Sequence, residues 1–561
     1  MSWIYNLLNK TKKSAFFYSL LLIIPLTFIS SCSMDVLDKD PINSFNDAAV
    51  WNDGVLTEQF VNNTYKILPT GFSSVFTLGR VASDEMYNRG GAFNFINEGN
   101  ISPTNYGILN FWTGSWTYWN VIKKCNIFLS NIDAINAAPG DVAFKNRMKG
   151  EMYFMRAFSY FRLVALYGGV PLLKKPSELA EEFRDIRNSY DDCMKFVIED
   201  LDAAIAMLPA TYPAANLGRI TKGAAMSIKS RALLYMASPL NNPANTAAKW
   251  QAAADAAKAV IDLNLYSLFN NYGNVFQLAN SYNSEIIWSR PYNFQNQNEG
   301  VLNETISFPN GYGGQGQIAP YQNLVDEFEM LSGKLPKDDP TYDLQNPYIN
   351  RDPRFYASIL YNGATFKGRA VETFLPNGKD SRGGALSPND GTETGYYMRK
   401  FLVESITNPS SSNTGNSPWI FIRYAEILLN YAEAKYNLGD EATCREYINK
   451  VRSRTGVNMP PVTDTGAALL ARVQHERQIE LVFEEHRYFD VRRWKIAPVV
   501  LNKLPKRMDI VKNLTTGVIT YEVKTMLQFT FVFNDRNYLL PVPQSEIDKN
   551  PALEQNPGYL Q

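Results

Sequence analysis

Apolar positions recur at a spacing of three to four residues along three tracts of the chain, as in an amphipathic helix. Each tract holds two such stretches with a turn signal between them. The pairs are residues 151–173 and 189–209, 219–239 and 247–264, and 417–440 and 441–456. A charged helical stretch follows at 471–494. The pattern predicts a mostly α-helical protein built from helix pairs.

Residues typical of helix ends stand at the borders of these stretches. Ser189 and Asp192 have the spacing of a capping box at a helix start. Ser417 followed by Pro418 is typical of another helix start, and Gly439 of the position just after a helix end. Each tract is therefore predicted to be a helix, a tight turn and a second helix. Such pairs resemble tetratricopeptide repeats and would form a scaffold.

Two stretches between the helical tracts differ in composition. Residues 69–110 and 265–416 are rich in Asn, Gly, Gln and aromatic residues and lack a sustained helical period. The aromatic content argues against disorder, and long loops on a rigid frame often form binding surfaces. We therefore predict a large irregular, loop-rich, ligand-binding subdomain. Within it, Trp288 lies in "SEIIWSR", which predicts a short buried strand.

The segment "FWTGSWTYWN" contains the densest aromatic cluster of the chain. Trp116 and Trp119 continue at helical spacing into Ile122, which predicts one apolar helix face packed in the core. Gly114 weakens the first turn, so the pattern leaves Trp112 open between the core and the preceding loop. The cluster is therefore interpreted as part of the scaffold rather than as a sugar-stacking platform.

The first 31 residues have the pattern of a secretory signal peptide. Lysines precede an apolar run that is too short to be a membrane span, and small residues follow it. Residues 29–32, "ISSC", resemble a bacterial lipobox, so we predict cleavage before Cys32 and lipidation of that residue. Acyl chains contribute about 0.8 kcal/mol per buried methylene, which makes a multiply acylated cysteine a firm anchor. Residues 32–43 are then an anchor and tether, and residues 44–561 the body.

The net charge and the number and spacing of the cysteines argue against a nucleic-acid-binding protein and against a disulfide-rich protein. The chain has 55 basic and 55 acidic residues, and residues 1–31 carry three lysines and no acid, so the net charge without them is −3. A nucleic-acid-binding protein would present a strongly basic face, so no nucleic-acid partner is predicted. Three cysteines remain, an odd number at distant positions, which predicts buried free thiols rather than a disulfide framework. They are Cys125, Cys193 and Cys444.

Sequence motifs for catalysis are missing. The two histidines are His475 and His486, and "HERQIE" lacks the second histidine of a zinc-protease motif. No Gly-x-Ser-x-Gly, phosphate-binding lysine loop or Cys-x-x-Cys is present. We therefore predict no catalytic residue, no metal site and no cofactor. A catalytic carboxylate pair of the glycoside hydrolase type remains an alternative, because 55 acidic residues offer many pairs and none stands out.

The charged C-terminal stretch repeats a carboxylate every four residues, at Glu476, Glu480 and Glu484, among several arginines. It could be read as a patch that binds acids. Such mixtures are more typical of a salt-bridged helix face, where each pair contributes a few tenths of a kcal/mol. We interpret it as a structural face that supports the scaffold.

Several stretches together resemble the SusD/RagB family of Bacteroidota outer-membrane lipoproteins. They are the lipobox at Cys32, "RAFSYFRLVALYGGVPLL" at 156–173, "IRYAEILLNYAEAKYNLGD" at 422–440, "HERQIELVFEEHRYFDVRRW" at 475–494 and "YLLPVPQSEIDKNPALEQNPGY" at 538–559. They follow the family's order and cover essentially the whole chain. The resemblance implies a helical body with tetratricopeptide-like pairs and an irregular face that holds ligand.

The resemblance also implies a function and a partner. Such proteins lie as a lid over a TonB-dependent barrel of the SusC type and capture glycans, or peptides in the RagB branch, without catalysis. The expected location is the outer membrane, with a lipid anchor and exposure at the cell surface. Loops rich in Asn, Gln and Tyr favour a glycan ligand. An oligopeptide ligand and a lipid-anchored glycoside hydrolase remain the alternatives.

Sugar binding requires aromatic faces beside amides, carboxylates and arginines, because a sugar ring has an apolar face and a rim of hydroxyls. Two loop stretches, 84–91 and 292–317, supply this mixture. The competing interpretation is that about half of these rings pack inward against the helices. The predicted ligand-binding residues are Asp84, Tyr87, Asn88, Arg89, Tyr292, Phe294, Asn296, Tyr312 and Gln315.

Overall fold

The computed structural model describes residues 47–72, 78–91, 94–106, 112, 118–134, 142–176, 184–292, 303–382, 390–410 and 413–559. The predicted signal peptide, the lipidation site Cys32 and the tether lie outside the described residues. The same holds for Trp116 and for two predicted ligand-binding residues, Phe294 and Asn296.

Helices dominate the structure. In chain order they are α1 Asp47–Asn52, α2 Gly54–Lys66, α3 Leu78–Val81, α4 Asn94–Asn97, α5 Tyr118–Asn131, α6 Val142–Tyr167, α7 Tyr190–Met207, α8 Lys222–Ala237, α9 Ala247–Ile261, α10 Asn303–Ser307, α11 Gln322–Glu327, α12 Pro353–Ser358, α13 Tyr424–Asn437, α14 Glu441–Arg452, α15 Gly466–Glu480, α16 Arg487–Arg493, α17 Ala497–Val500 and α18 Gln544–Lys549. The mostly α-helical fold class is confirmed.

The three predicted helix pairs are present as α6 with α7, α8 with α9, and α13 with α14. The predicted cap of α7 is confirmed, because Oγ of Ser189 accepts from the backbone N–H of Asp192 at 3.0 Å. Gly439 has φ +82° just after α13, as expected of a residue that ends a helix. These pairs form the tetratricopeptide-like scaffold.

Short strands pair, some between distant parts of the chain and some between neighbouring segments. They are β1 Met86–Asn88, β2 Ile286–Arg290, β3 Ile318–Pro320, β4 Ile359–Leu360, β5 Thr365–Phe366, β6 Arg369–Ala370, β7 Tyr397–Met398, β8 Trp419–Arg423, β9 Lys506–Lys512 and β10 Ile519–Thr525. Within the described ranges they form antiparallel pairs: β1 with β3, β2 with β8, β4 with β7, β5 with β6, and β9 with β10. Most of these strands belong to the loop-rich region between α9 and α13.

The predicted helix start at Ser417 is wrong. Residues 419–423 form the buried strand β8, and α13 begins only at Tyr424. β8 pairs with β2, with Ile286 opposite Arg423, so tertiary pairing overrides the local helix-start signal. The predicted buried strand around Trp288 is confirmed, since that side chain lies in β2 and is buried.

The two described tryptophans of the cluster, Trp112 and Trp119, pack against the scaffold helix α6. Trp112 is buried, and its ring meets that of Tyr167 edge to face at a centroid distance of 4.9 Å. The half-buried Trp119 contacts Tyr160 in the same way at 5.9 Å. Trp112, which the sequence pattern left open, is therefore part of the core. Cys125, Cys193 and Cys444 are buried free thiols, as predicted.

The charged stretch of α15 and the following turn is not a solvent-exposed face. Glu476, Glu480 and Glu484 are all buried. The predicted structural, salt-bridged interpretation is confirmed, but the pairs are buried, so the few tenths of a kcal/mol typical of exposed pairs do not apply to them. The four-residue spacing could not distinguish exposed pairs from buried ones, because the partners come from elements far away in sequence.

Glu480 is the centre of this buried network. Its Oε1 lies 2.7 Å from Arg423 and 2.8 Å from Arg454, and its Oε2 lies 3.0 Å from Arg354. Burial alone would raise the pKa of Glu480, but the three guanidinium groups hold it well below its usual range. β8, α12 and the segment after α14 are thereby bound to α15.

None of the helices in the described ranges is both long enough and apolar enough to cross a bilayer.

Candidate functional site

The first predicted ligand-binding stretch, 84–91, lies beside the end of the second, at Gln317, because two short strands pair. β1 and β3 are antiparallel, with Asn88 opposite Ile318. The pairing continues beyond the strands, since the backbone N–H of Arg89 donates to the carbonyl of Gln317 at 2.8 Å. Segments that are distant in the sequence therefore form one surface.

A third segment, which sequence reasoning did not single out, joins these two. Nη2 of Arg89 lies 2.6 Å from Oδ1 of Asp390, and the backbone N–H of Gly391 donates to the carbonyl of Gln315 at 3.0 Å. The side chains of the ion pair are 24% and 29% exposed, so both can meet a ligand. The three segments, which we call the candidate face, are residues 84–91, 312–317 and 390–393.

Two of the predicted residues are engaged in contacts that hold β1 in place. The carboxylate of Asp84 accepts from Nε and Nη2 of Arg487, both at 2.8 Å. The ring of Tyr87 is only 8% exposed and packs against Phe529 at a centroid distance of 5.5 Å. Burial, followed by the nearby carboxylate of Glu393, raises the pKa of Tyr87. Asp84 and Tyr87 therefore position the backbone of the candidate face.

Tyr312 is half-buried, and neighbouring groups hold both its hydroxyl and its ring. Its hydroxyl donates to the carbonyl of Phe366 at 2.7 Å, and the guanidinium of Arg369 lies 3.8 Å from its ring centroid. Arg369 in turn binds Asp380 at 2.6 Å. Burial raises the pKa of Tyr312 to about 12, although Arg369 opposes the shift. The cation over the ring stabilises this residue by cation–π attraction.

Amide side chains complete the candidate face. Oδ1 of Asn88 accepts from the backbone N–H of Gly90 at 2.9 Å, so its amide is fixed beside the turn. Gln315 is exposed, and its backbone N–H donates to the carbonyl of Thr305 at 2.8 Å. Among the described residues, the side-chain amide of Gln315 has no hydrogen-bond partner. Amides of this kind can both donate to and accept from a ligand.

The remaining predicted residues lie in a different segment. Tyr292 is half-buried beside Thr70, whose hydroxyl lies 2.5 Å from the tyrosine hydroxyl, and beside the ring of Phe72. Its neighbours Phe294 and Asn296 are outside the described residues. Ligand binding by these three residues therefore stays a prediction.

Sequence reasoning missed the contribution of residues 380–382 and 390–393, the described ends of the segment "DSRGGALSPNDGTE". Asp390 pairs with Arg89, and Glu393 forms an ion pair with Arg382. The segment contains no aromatic residue, whereas aromatic rings were the main sequence signal for a sugar site. The available signal was a cluster of charged residues between glycines, which is common in surface turns.

Metal-binding side chains do not converge in the part of the chain that the structure describes. No three His, Cys, Asp or Glu side chains come together there as a metal site.

Comparisons with known proteins agree with this architecture. Two family descriptions match the chain: the SusD family over residues 281–559, and "Starch-binding associating with outer membrane" over residues 37–234. A curated relative, the SusD-like protein P25 of Formosa agariphila, is 28% identical over 461 residues. This match covers 79% of this chain and 78% of the relative.

Two solved structures from Bacteroides fragilis share the fold. A SusD-like protein has a TM-score of 0.78 and 28% identity, covering 93% of this chain and 100% of its own. A SusD-like carbohydrate binding protein has a TM-score of 0.77 and 29% identity, covering 90% of this chain and 99% of its own. The matches extend over the scaffold and the loop-rich region together. The chain belongs to the SusD/RagB family, whose members are associated with the outer membrane.

Proposed function

We propose that the protein is a cell-surface lipoprotein that captures oligosaccharides or polysaccharides without cleaving them. A related solved structure, 29% identical, is named a carbohydrate binding protein, and one matching family description names starch binding. The proposed ligand-binding residues are those of the candidate face, together with Tyr292, Phe294 and Asn296.

The Arg89–Asp390 pair beside the exposed amide of Gln315 is the observation that carries this proposal. A sugar hydroxyl donates one hydrogen bond and accepts others, so it needs acceptors and donors close together. The carboxylate of Asp390 accepts, the guanidinium of Arg89 donates, and the amide of Gln315 does both. Bonds to ionised partners are stronger than those between neutral groups. Tyr312 is the proposed aromatic contact, and its ring also carries the guanidinium of Arg369 at 3.8 Å from its centroid.

The proposal includes the anchor and the partner. Cleavage after residue 31 would leave Cys32 acylated in the outer membrane, with residues 32–43 as tether and residues 44–561 as body. The captured glycan would pass to a TonB-dependent transporter of the SusC type. The lipobox-like residues 29–32 and the outer-membrane association of the family support this arrangement.

Titration of the mature chain without lipid, residues 33–561, against a panel of neutral and acidic polysaccharides tests ligand capture. Calorimetric binding to at least one glycan, with no release of reducing ends, is expected. Binding to peptides with silence across all glycans would replace the proposal with oligopeptide capture. Turnover of a bound glycan would instead support a hydrolase.

Labelling with a radioactive fatty acid in cells tests the anchor. The natural chain is expected to incorporate label, and Cys32→Ala is expected to incorporate none. Incorporation of label by Cys32→Ala would contradict lipidation at Cys32. Co-purification of a barrel protein with the natural chain from solubilised outer membranes tests the partner.

A further inference from the structure

A cleft of about 380 Å³ lies within the loop-rich region, apart from the candidate face. Its walls come from the 3₁₀ turn Tyr272–Phe276, from α12 and from residues 399–404, which follow β7. In the described part of the chain, no residue of the candidate face lines it. Its volume falls in the range of about 300–1,000 Å³ that is typical of ligand pockets.

A buried lysine fixes the floor of this cleft. Nζ of Lys400 donates to the hydroxyl of Tyr272 at 2.7 Å, to the carbonyl of Val482 at 2.8 Å and to Oε1 of Glu484 at 2.7 Å. The ammonium also lies 4.0 Å from the ring centroid of Phe276. Its three donors are therefore satisfied, and its charge is balanced by a carboxylate. The floor is rigid and carries no spare positive charge for an anion.

The aromatic side of the cleft is equally fixed. The hydroxyl of half-buried Tyr356 donates to the carbonyl of Tyr348 at 2.7 Å and accepts from the backbone N–H of Arg351 at 3.1 Å. Phe401 has φ +68°, which is unusual for a bulky residue and costs on the order of 1–3 kcal/mol. Strained backbone of this kind is concentrated at ligand sites.

Polar groups at the mouth of the cleft remain available. The side-chain amides of Asn271, Asn274 and Gln277 have no hydrogen-bond partner among the residues that the structure describes. Arg399 and Glu404 form an ion pair at 2.9 Å and are 31% and 40% exposed. Three amides and one neutral ion pair offer donors and acceptors in similar numbers.

We propose that this cleft is a second saccharide site, which binds one or two uncharged sugar units. The fixed ring of Tyr356 suits the apolar face of a sugar, and the open amides suit its hydroxyls. The charges that line the cleft are paired, so an anionic ligand gains no advantage. The inference shares its ligand class with the proposed function but concerns a different place on the protein.

The test uses the chain of residues 33–561 and two double variants. The double variant Asn274→Ala and Gln277→Ala alters the cleft. Neither side chain has a hydrogen-bond partner in the described ranges, so folding should be preserved. Asn88→Ala with Arg89→Ala alters the candidate face. Glucose, galactose, mannose, maltose, cellobiose and laminaribiose are titrated by calorimetry, and crystals are soaked with any sugar that binds. Thermal unfolding of each variant is compared with that of the natural chain.

The natural chain and the face variant are expected to bind at least one of these sugars with similar affinity, with density in the cleft. The cleft variant is expected to bind that sugar at least tenfold more weakly. Unchanged binding by the cleft variant, or density confined to the candidate face, overturns the inference and leaves the proposed function intact. Sugar binding in the cleft, with no polysaccharide captured at the candidate face, supports the inference and contradicts the proposed function. No binding to the natural chain by any of these sugars also overturns the inference.

Discussion

Arg487 at the start of α16 binds Asp84 in front of β1 through two hydrogen bonds of 2.8 Å each. The arginine side chain is 8% exposed and the aspartate side chain 19%, so the pair is largely shielded from water. It attaches the candidate face to the helical scaffold. Asp84 therefore supports the candidate face through the position of β1.

Replacing Arg487 by Ala is expected to destabilise the protein by about 3 kcal/mol, since the largely shielded carboxylate of Asp84 then loses its partner. Chemical unfolding followed by circular dichroism measures the change. Lys258→Ala is the control, because that lysine of α9 forms an exposed pair with Asp262, and no measurable change is expected there. Equal effects of the two substitutions would show that burial does not matter for Arg487.

Glu480→Gln is expected to cost about 3–5 kcal/mol of unfolding free energy. The substitution removes a buried charge that pairs with Arg354, Arg423 and Arg454 together. Glu446→Gln is the matched control, because its carboxylate pairs with Lys450 on the surface of α14. A stability of the Glu480 variant close to that of the control would contradict the central role of this network.

Glu485 predicts a dependence of stability on pH. Its Oε1 lies 3.1 Å from Arg80, yet burial raises its pKa from 4.5 to about 7. Between these values the folded chain binds more protons than the unfolded chain, so this group's contribution to stability falls as pH rises. Relative to Glu485→Gln, the natural chain is expected to lose about 3 kcal/mol between pH 4.5 and 7. A stability difference that stays constant over this range would contradict the raised pKa.

Arg89→Ala is expected to weaken binding of any glycan held at the candidate face by about tenfold or more, because bonds to charged groups contribute about 1.5–3 kcal/mol. Thermal unfolding should be unchanged. Arg445→Ala is the control, since that arginine has a similar exposure of 27% and pairs with Glu441 on α14. Affinity unchanged in Arg89→Ala, or equally reduced in both variants, would remove the face from the proposal.

The helical scaffold could be predicted from the sequence because its signals are local. Apolar spacing and residues such as Ser189 and Gly439 determine helix pairs within a few dozen positions. Ser417 shows the limit of this reasoning, since pairing of β8 with a distant strand overrides a good helix-start signal. The exposure of Glu480 was equally out of reach, because its partners lie on other elements.

The candidate face could be predicted only in part. Tyr87 and Asn88 were found because aromatic and amide residues cluster near them in the sequence. Asp390 was missed because its role depends on contact with Arg89, which is 301 positions away. Ring orientation also depends on tertiary packing, so sequence alone offered no means to foresee that Tyr87 is buried.

The bond between Asp84 and Arg487 spans 403 positions of the chain, which has a consequence for biogenesis. Synthesis proceeds from the N-terminus, and contacts between distant positions form late because the closing of a long loop costs entropy. The segment around Asp84 emerges early but acquires its support only after α16 has emerged. A product truncated before α16 is therefore expected to lack the contact that holds the candidate face against the scaffold.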